Sequence, residues 1–292
     1  MPTPGLGGTL AINPVYISVR FLPDCQPGHL PSTLTGNPRK TGAALQAPRL
    51  HVTQKGIPMA RRIIDLSLTI EDNMPAHKMF QSPVYLKALS HESTLSFGLG
   101  VPEDPMTFQT NYIGMLDHVG THVDAFLHVN PKGLSIDQMP LDLFMGKAVC
   151  LDLRHIGDLE DITADHMAAA EAASGVNIDG HIVLLCTGFH ARNWGDRKQI
   201  VWGNPGLTVG ATQWLHDRGS RMHGVEGPST DKPSDNLFAQ HRLCRDLGIS
   251  HFEWLVNLEA LVGVGEFEFV GLPIKFKGGS GSPVRAVAIV NH

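Results

Sequence analysis

Between Asp117 and His128 the chain packs three histidines and an aspartate into the spacing HxxxHxDxxxH: His118, His122, Asp124 and His128, with apolar Val119, Val123, Ala125 and Leu127 between them. Such donors are costly to bury unless something pairs with them, and imidazole with carboxylate is the donor set that binds zinc, manganese or iron(II). No regular backbone converges them. A helix stacks His118 over His122 but rotates Asp124 away. A strand aligns all four but spreads His118 and Asp124 over about 20 Å, beyond the reach of one ion with bonds of about 2 Å. The backbone must therefore bend. Gly120, next to Thr121, is the residue free to take a positive φ, so the sequence predicts a turn there that folds the ligands inward and leads into a short helix.

The rest of the composition narrows the field. The chain has 292 residues, 42% of them hydrophobic, enough for a sizeable core, and 16 histidines against 3 tyrosines direct attention to imidazole chemistry. A formal charge of −5 offers no basic stripe for a nucleic-acid backbone, and no run of some 18 apolar residues is present to span a bilayer. Cys25, Cys150, Cys186 and Cys244 are scattered without a CxxC pair, which argues against a disulfide framework and fits a reducing cytoplasm.

Residues 1–58 are rich in Pro, Gly, Ser and Thr without sustained periodicity and read as a poorly ordered extension; Met59-Ala60-Arg61-Arg62-Ile63-Ile64 looks like a natural beginning, so an over-long start assignment is the expectation. From residue 59 to 292 the pattern is mixed α/β. Lys147–Leu153 and His181–Leu185 read as buried strands with a helix between them, Ala164–Ala173, capped by Thr163 and closed by Gly175. Thr208 caps a second helix carrying Trp214 and Leu215 that stops at Gly219, Asn236–Leu247 reads as a third, and Phe267–Val270 and Val284–Val290 read as strands flanking a glycine loop.

The cluster resembles the HGTHxDxPxH signature of the metal-dependent cyclase family, which includes bacterial kynurenine formamidases and isatin hydrolases. Later stretches are similar too: Val183–Gly188, Gly206–Thr208 with the Trp214-Leu215 helix, Gly224–Asp231, His241-Arg242-Leu243 with Glu253 twelve positions on, and Gly278–Ala286. The likeness spans nearly all of residues 61–292. Two positions depart from the pattern: Phe126 stands where a proline is usual, and Glu226 where aspartate is common. The resemblance implies a swivelling β/β/α domain assembled as a homodimer or homotetramer, with His118, His122 and Asp124 on a first ion and Asp124, His241 and Glu253 available to a second. It implies one or two divalent ions, Zn2+ or Mn2+, and a small amide or cyclic amide as substrate. His128 is the expected proton-transferring residue, and Phe126, Ser229 and Asp231 are expected near the substrate.

Two other readings stay open at the level of sequence. His122, Asp124 and His241 also spell the two-histidine, one-carboxylate triad of a non-haem iron oxygenase, and a non-catalytic metal-binding or ligand-binding protein would need the same donors. The run Gly278–Ser282 lacks the helix and Lys-Ser/Thr of a phosphate loop and reads as a connector. Cys186 ends an apolar strand and reads as a small buried residue. Trp194, Trp202 and Trp254 read as core or contact residues.

Overall fold

The structure is a computed structural model that describes residues 61–291; the expected extension at residues 1–58 lies outside the described residues. Nine strands form one mixed sheet: β1 Arg62–Asp65, β2 His122–Asp124, β3 Met145–Asp152, β4 Ile182–Cys186, β5 Met222–Val225, β6 Ser250–Glu253, β7 Phe267–Val270, β8 Gly281–Pro283 and β9 Val287–Val290. Their spatial order is β1-β9-β7-β3-β4-β5-β6-β2-β8. The central four, β3 to β6, are parallel, and the flanking pairs are antiparallel. Parallel strands covered on both faces need apolar residues at every position, and every residue of β4, Ile182-Val183-Leu184-Leu185-Cys186, is buried.

The two faces sort by the period of two. Val149, Leu151, Val183, Leu185 and Val225 pack under the helices with Met167, Ala211 and Leu215, while Cys150, Leu184, Phe252 and Phe269 point into a second apolar core. The covering helices are α1 Ala164–Ser174, α2 Val209–Asp217 and α3 Ala239–Leu247. Thr163 accepts from the His166 N–H and Gly175 closes α1 at φ 67, while Thr208 caps α2 through the Ala211 N–H. Helix α3 starts three residues later than the predicted Asn236. Asp235 accepts from the N–H groups of Leu237 and Ala239, and Phe238 sits at φ 50, so residues 236–238 turn instead of joining the helix.

The predicted strand Val284–Val290 is interrupted for a reason of topology. Gly281–Pro283 pairs with β2 at one edge, and Val287–Val290 pairs with β1 and β7 near the other. Only residues 284–286 join them, a span of at most about 14 Å. A nine-stranded sheet meets that limit only by curling round on itself, which gives two sheet layers and one of helices. A separate ribbon, Val84–Leu89 paired with Thr110–Gly114, stands outside this sheet.

The predicted bend is present: Gly120 has φ +68, and a Cβ there would meet Ile70 Cγ1 at 3.3 Å. Because the left-handed conformation costs a non-glycine residue about 1–2 kcal/mol, Gly120→Ala is expected to lower the unfolding free energy by that amount, read as an earlier urea midpoint at unchanged slope. An unmoved midpoint would show that φ at Gly120 does not constrain the bend.

Candidate metal centre

Strand β2 lies between β6 and β8, and its register with β6 pairs His122 with Glu253 and Val123 with Phe252. Alternation then places His122, Asp124, His251 and Glu253 on one face, while Val123 and Phe252 enter the core behind it. His118 comes to the same place from the other side of the Gly120 turn: its Nδ1 donates to Asp124 Oδ1 at 2.7 Å. His122 Nε2 lies 3.4 Å from Asp124 Oδ1 and 3.4 Å from Glu253 Oε2. From α3, His241 Nε2 comes within 3.6 Å of Asp124 Oδ2 and 3.9 Å of Glu253 Oε1. His128, at the end of a short 3-10 turn, Phe126–His128, holds Nε2 3.8 Å from Asp124 Oδ2. The residues picked out by pattern and resemblance thus converge on one buried spot, drawn from segments more than 100 residues apart.

The supporting contacts fix which ring nitrogens face inward. His122 Nδ1 donates to the Gly120 carbonyl and His241 Nδ1 donates to the Asp231 carboxylate, so each ring presents Nε2 to the centre. Asp231 also accepts from the N–H groups of Gln240 and His241; it sits behind His241 and does not line the cleft in front of it. Asp117 accepts from the Ser280 hydroxyl and N–H, and the Gly281 backbone packs so closely on His118 that a Cβ would lie 2.6 Å from its Cε1. The glycine run that reads as a mere connector is therefore a wall of the site.

A narrow cleft of about 30 Å3, room for a water or two, opens over the cluster. His77, Met79, Phe80, Ser229 and Phe238 border it together with His118, His128 and His241. Phe126 turns elsewhere, toward a cavity of about 260 Å3 on the far side, bordered also by Leu134, Cys244 and His251. Trp254 is fully buried in a cluster with Phe189, Ile200 and Val201, and Trp202 lies under Lys78, 5.3 Å away. Two residues of the site escaped the sequence reading. His77 carries no local signal. His251 does, since His251-Phe252-Glu253 on a strand puts two donors on one face.

Charge dictates what this cluster can hold. Asp124 and Glu253 are buried, and among the described residues neither forms an ion pair with arginine or lysine. Burial opposes their ionisation, yet the surrounding imidazoles keep both below the usual carboxylate range. The histidines answer in kind: burial pulls His241 down, but the nearby Asp124 carboxylate and the hydrogen bond to Asp231 override it and hold the ring at about 9. Meanwhile His122 Nε2, His251 Nε2 and Glu253 Oε1 are buried without hydrogen-bond partners. Orphaned donor atoms around two carboxylates that need positive charge are what a divalent cation would satisfy. His128 differs. Burial dominates and lowers it to about 4, leaving it neutral at pH 7 and free to accept a proton.

The sequence profile of the Cyclase family matches residues 64–232, more than half of the chain. The chain belongs to the cyclase family. This cyclase-family chain is 32% identical over 194 residues to a kynurenine formamidase of Salinibacter ruber, covering 63% of this chain and 82% of the relative. An isatin hydrolase A from Ralstonia solanacearum superposes with a TM-score of 0.67 at 25% identity, covering 79% of this chain and 92% of that one. A structure described as a potential metal-dependent hydrolase with cyclase activity shares the fold, with a TM-score of 0.58 at 21% identity, over 80% of this chain and 100% of that one.

A proton on His241 stabilises the ion-free fold fully below about pH 6.5 and is lost as the pH rises through about 9. Metal must displace that proton, so occupancy rises over the same window. The melting temperature of chelator-treated protein is therefore expected to fall between pH 6.5 and 9, and the increment on adding Zn2+ to be larger at pH 8.5 than at pH 6. An increment independent of pH would count against the cluster as the binding site.

Proposed function

We propose that this chain is a metal-dependent hydrolase that opens the C–N bond of a small arylformamide, isatin-like or cyclic-imide substrate. The observation that carries this is a neutral, half-buried His128 held 3.8 Å from the carboxylate at the centre of the cluster, inside a cleft. His118, His122 and Asp124 would hold a first ion, and Asp124, His241 and Glu253 a second. A divalent ion such as Zn2+ or Mn2+, when bound, supplies a water of pKa about 7 and polarises a carbonyl. His128, neutral at pH 7, receives the proton of the attacking water and returns it to the departing nitrogen. Ser229 borders the same cleft and is placed to contact the substrate. The rim of Met79, Phe80 and Phe238 suits a flat, partly apolar ring, and an aryl group entering so narrow a cleft must displace Phe80 or Met79.

The kynurenine formamidase and isatin hydrolase relatives support the choice of amide bonds. Oxygenase chemistry needs open iron positions, whereas His118 and Glu253 crowd the triad that the oxygenase reading would use. Among the described residues no helix is long and apolar enough to cross a membrane. Cys150, Cys186 and Cys244 are free and buried, which supports a reducing compartment such as the cytoplasm.

Metal-stripped protein is expected to be inactive on N-formylkynurenine, isatin and simple cyclic imides, and to regain turnover of at least one with added Zn2+ or Mn2+. His128→Ala is expected to lower kcat by about 10²- to 10⁴-fold while retaining its metal. Turnover that survives either treatment would overturn the proposed mechanism.

We also propose that a second copy of the chain covers the outer ribbon. The ribbon and its connection expose Leu86, Phe97, Val101, Met106 and Ile113, with Met106 63% accessible, and exposed apolar side chains gathered on one element are what a subunit interface covers. Light scattering is expected to give a homodimer or homotetramer that Leu86→Glu with Ile113→Glu dissociates; a monomeric parent chain would refute this.

A further inference from the structure

Within the buried cluster, His251 has no task assigned by the proposed mechanism. It sits two residues before Glu253 on β6, is 2% exposed, and stacks against His223 with ring centroids 5.3 Å apart. Its Nε2 lies 3.3 Å from Asp124 Oδ2 and 3.2 Å from Glu253 Oε1, yet among the described residues it has no hydrogen-bond partner, and neither has Glu253 Oε1. Close approach without hydrogen-bond alignment means that the atoms point at a common space and not at one another. Leaving them so, with nothing between them, would cost the full desolvation of each group.

The spacing of the donors defines what fits. Asp124, His241, His251 and Glu253 each offer one ligand atom, all within 4.8 Å of one another. Four of the six separations are 3.6 and 3.9 Å from His241 Nε2 and 3.3 and 3.2 Å from His251 Nε2. An ion with bonds of about 2.1 Å in tetrahedral coordination separates its ligand atoms by about 3.4 Å. The four separations bracket that spacing, and His251 contributes two of them.

Resting on the reading that this cluster holds divalent ions, we propose that His251 is the fourth protein ligand of the second ion, which closes that site as a two-histidine, two-carboxylate set. Four protein ligands close a zinc shell, as in structural sites. Glu253 turns its other oxygen, Oε2, toward the first site, 3.4 Å from His122 Nε2. Asp124, His241 and Glu253 border the cleft, whereas His251 does not and borders the second cavity instead. The second ion's work is to hold Asp124, the carboxylate shared by both sites, in position for the first. Two imidazoles and tetrahedral spacing select Zn2+ over Mg2+ or Ca2+ there, since those ions require more ligands and oxygen donors.

The test titrates metal-stripped full-length protein with Zn2+ against a chromophoric chelator, comparing the parent chain, His251→Ala and His122→Ala. The parent is expected to bind two ions. His251→Ala is expected to weaken one of them by at least about 100-fold, more than the loss of an outer-shell partner would do, and to leave the other unchanged. His122→Ala is expected to weaken the other ion instead. Two equally tight ions in His251→Ala would overturn the ligand assignment alone, whereas a parent chain that binds none would overturn the metal reading beneath it. Should His251→Ala fail to fold, the proton spectrum of the Co2+-loaded parent decides: four paramagnetically shifted imidazole N–H signals are expected, and three would refute the proposal.

Discussion

The antiparallel register between β2 and β6 organises this molecule. A slip of β2 by one residue would turn His122 and Asp124 into the apolar core and bring Val123 to face His251 and Glu253. Yet β2 is only three residues long, too short for its own ladder to secure that choice. The register is fastened from outside. Thr121 donates to the Trp254 carbonyl at 2.6 Å, Ser250 donates to the Asp124 carbonyl at 2.6 Å, and the N–H groups of Ala125 and Val284 reach Ser280 and Thr121. Polar side chains beside the ligands thus settle a question that hydrophobic patterning would settle in a longer strand.

A second dependence runs through charge. Burying two carboxylates without an arginine or lysine partner among the described residues makes the pocket a host for whatever positive charge is at hand, protons on imidazole or a divalent ion. The fold restricts which atoms can respond, because Gly120 and Asp231 each hold one ring nitrogen away from the centre. Elsewhere a buried acid is handled differently. Glu226 accepts from the Thr187 N–H and hydroxyl at 2.7 Å each, and burial pushes it up to about 7. The extra methylene relative to the usual aspartate is absorbed at this strand end, away from the cluster.

Much of the centre was legible because its chemistry is compressed into one stretch. The spacing of His118, His122, Asp124 and His128 already excluded a straight helix or strand, and Gly120 was the one residue able to bend. Helix caps at Thr163 and Thr208 were legible for the same reason, since a cap acts over three residues. Distant pairings were not. Nothing near His241 or Glu253 says that they meet Asp124; only the family likeness linked them. His251 carried a period-two signal that went unused beside the stronger HxxxHxD spacing. The break after Pro283 follows from which edge each half of the predicted strand serves, and that is a property of the whole sheet.

Edge strand β8 adds a constraint on time as well as space. Asp117 depends on Ser280 and Gly281, which follow it by 163 and 164 residues, and His118 rests against that same glycine. During synthesis the HxxxHxD segment leaves the ribosome long before the strand that walls it in. The imidazole of His118 therefore stays unwalled until the last strands dock. A truncation of the final dozen or so residues would lift Gly281 from His118 and remove strand β9, whose pairing with β1 and β7 completes the sheet.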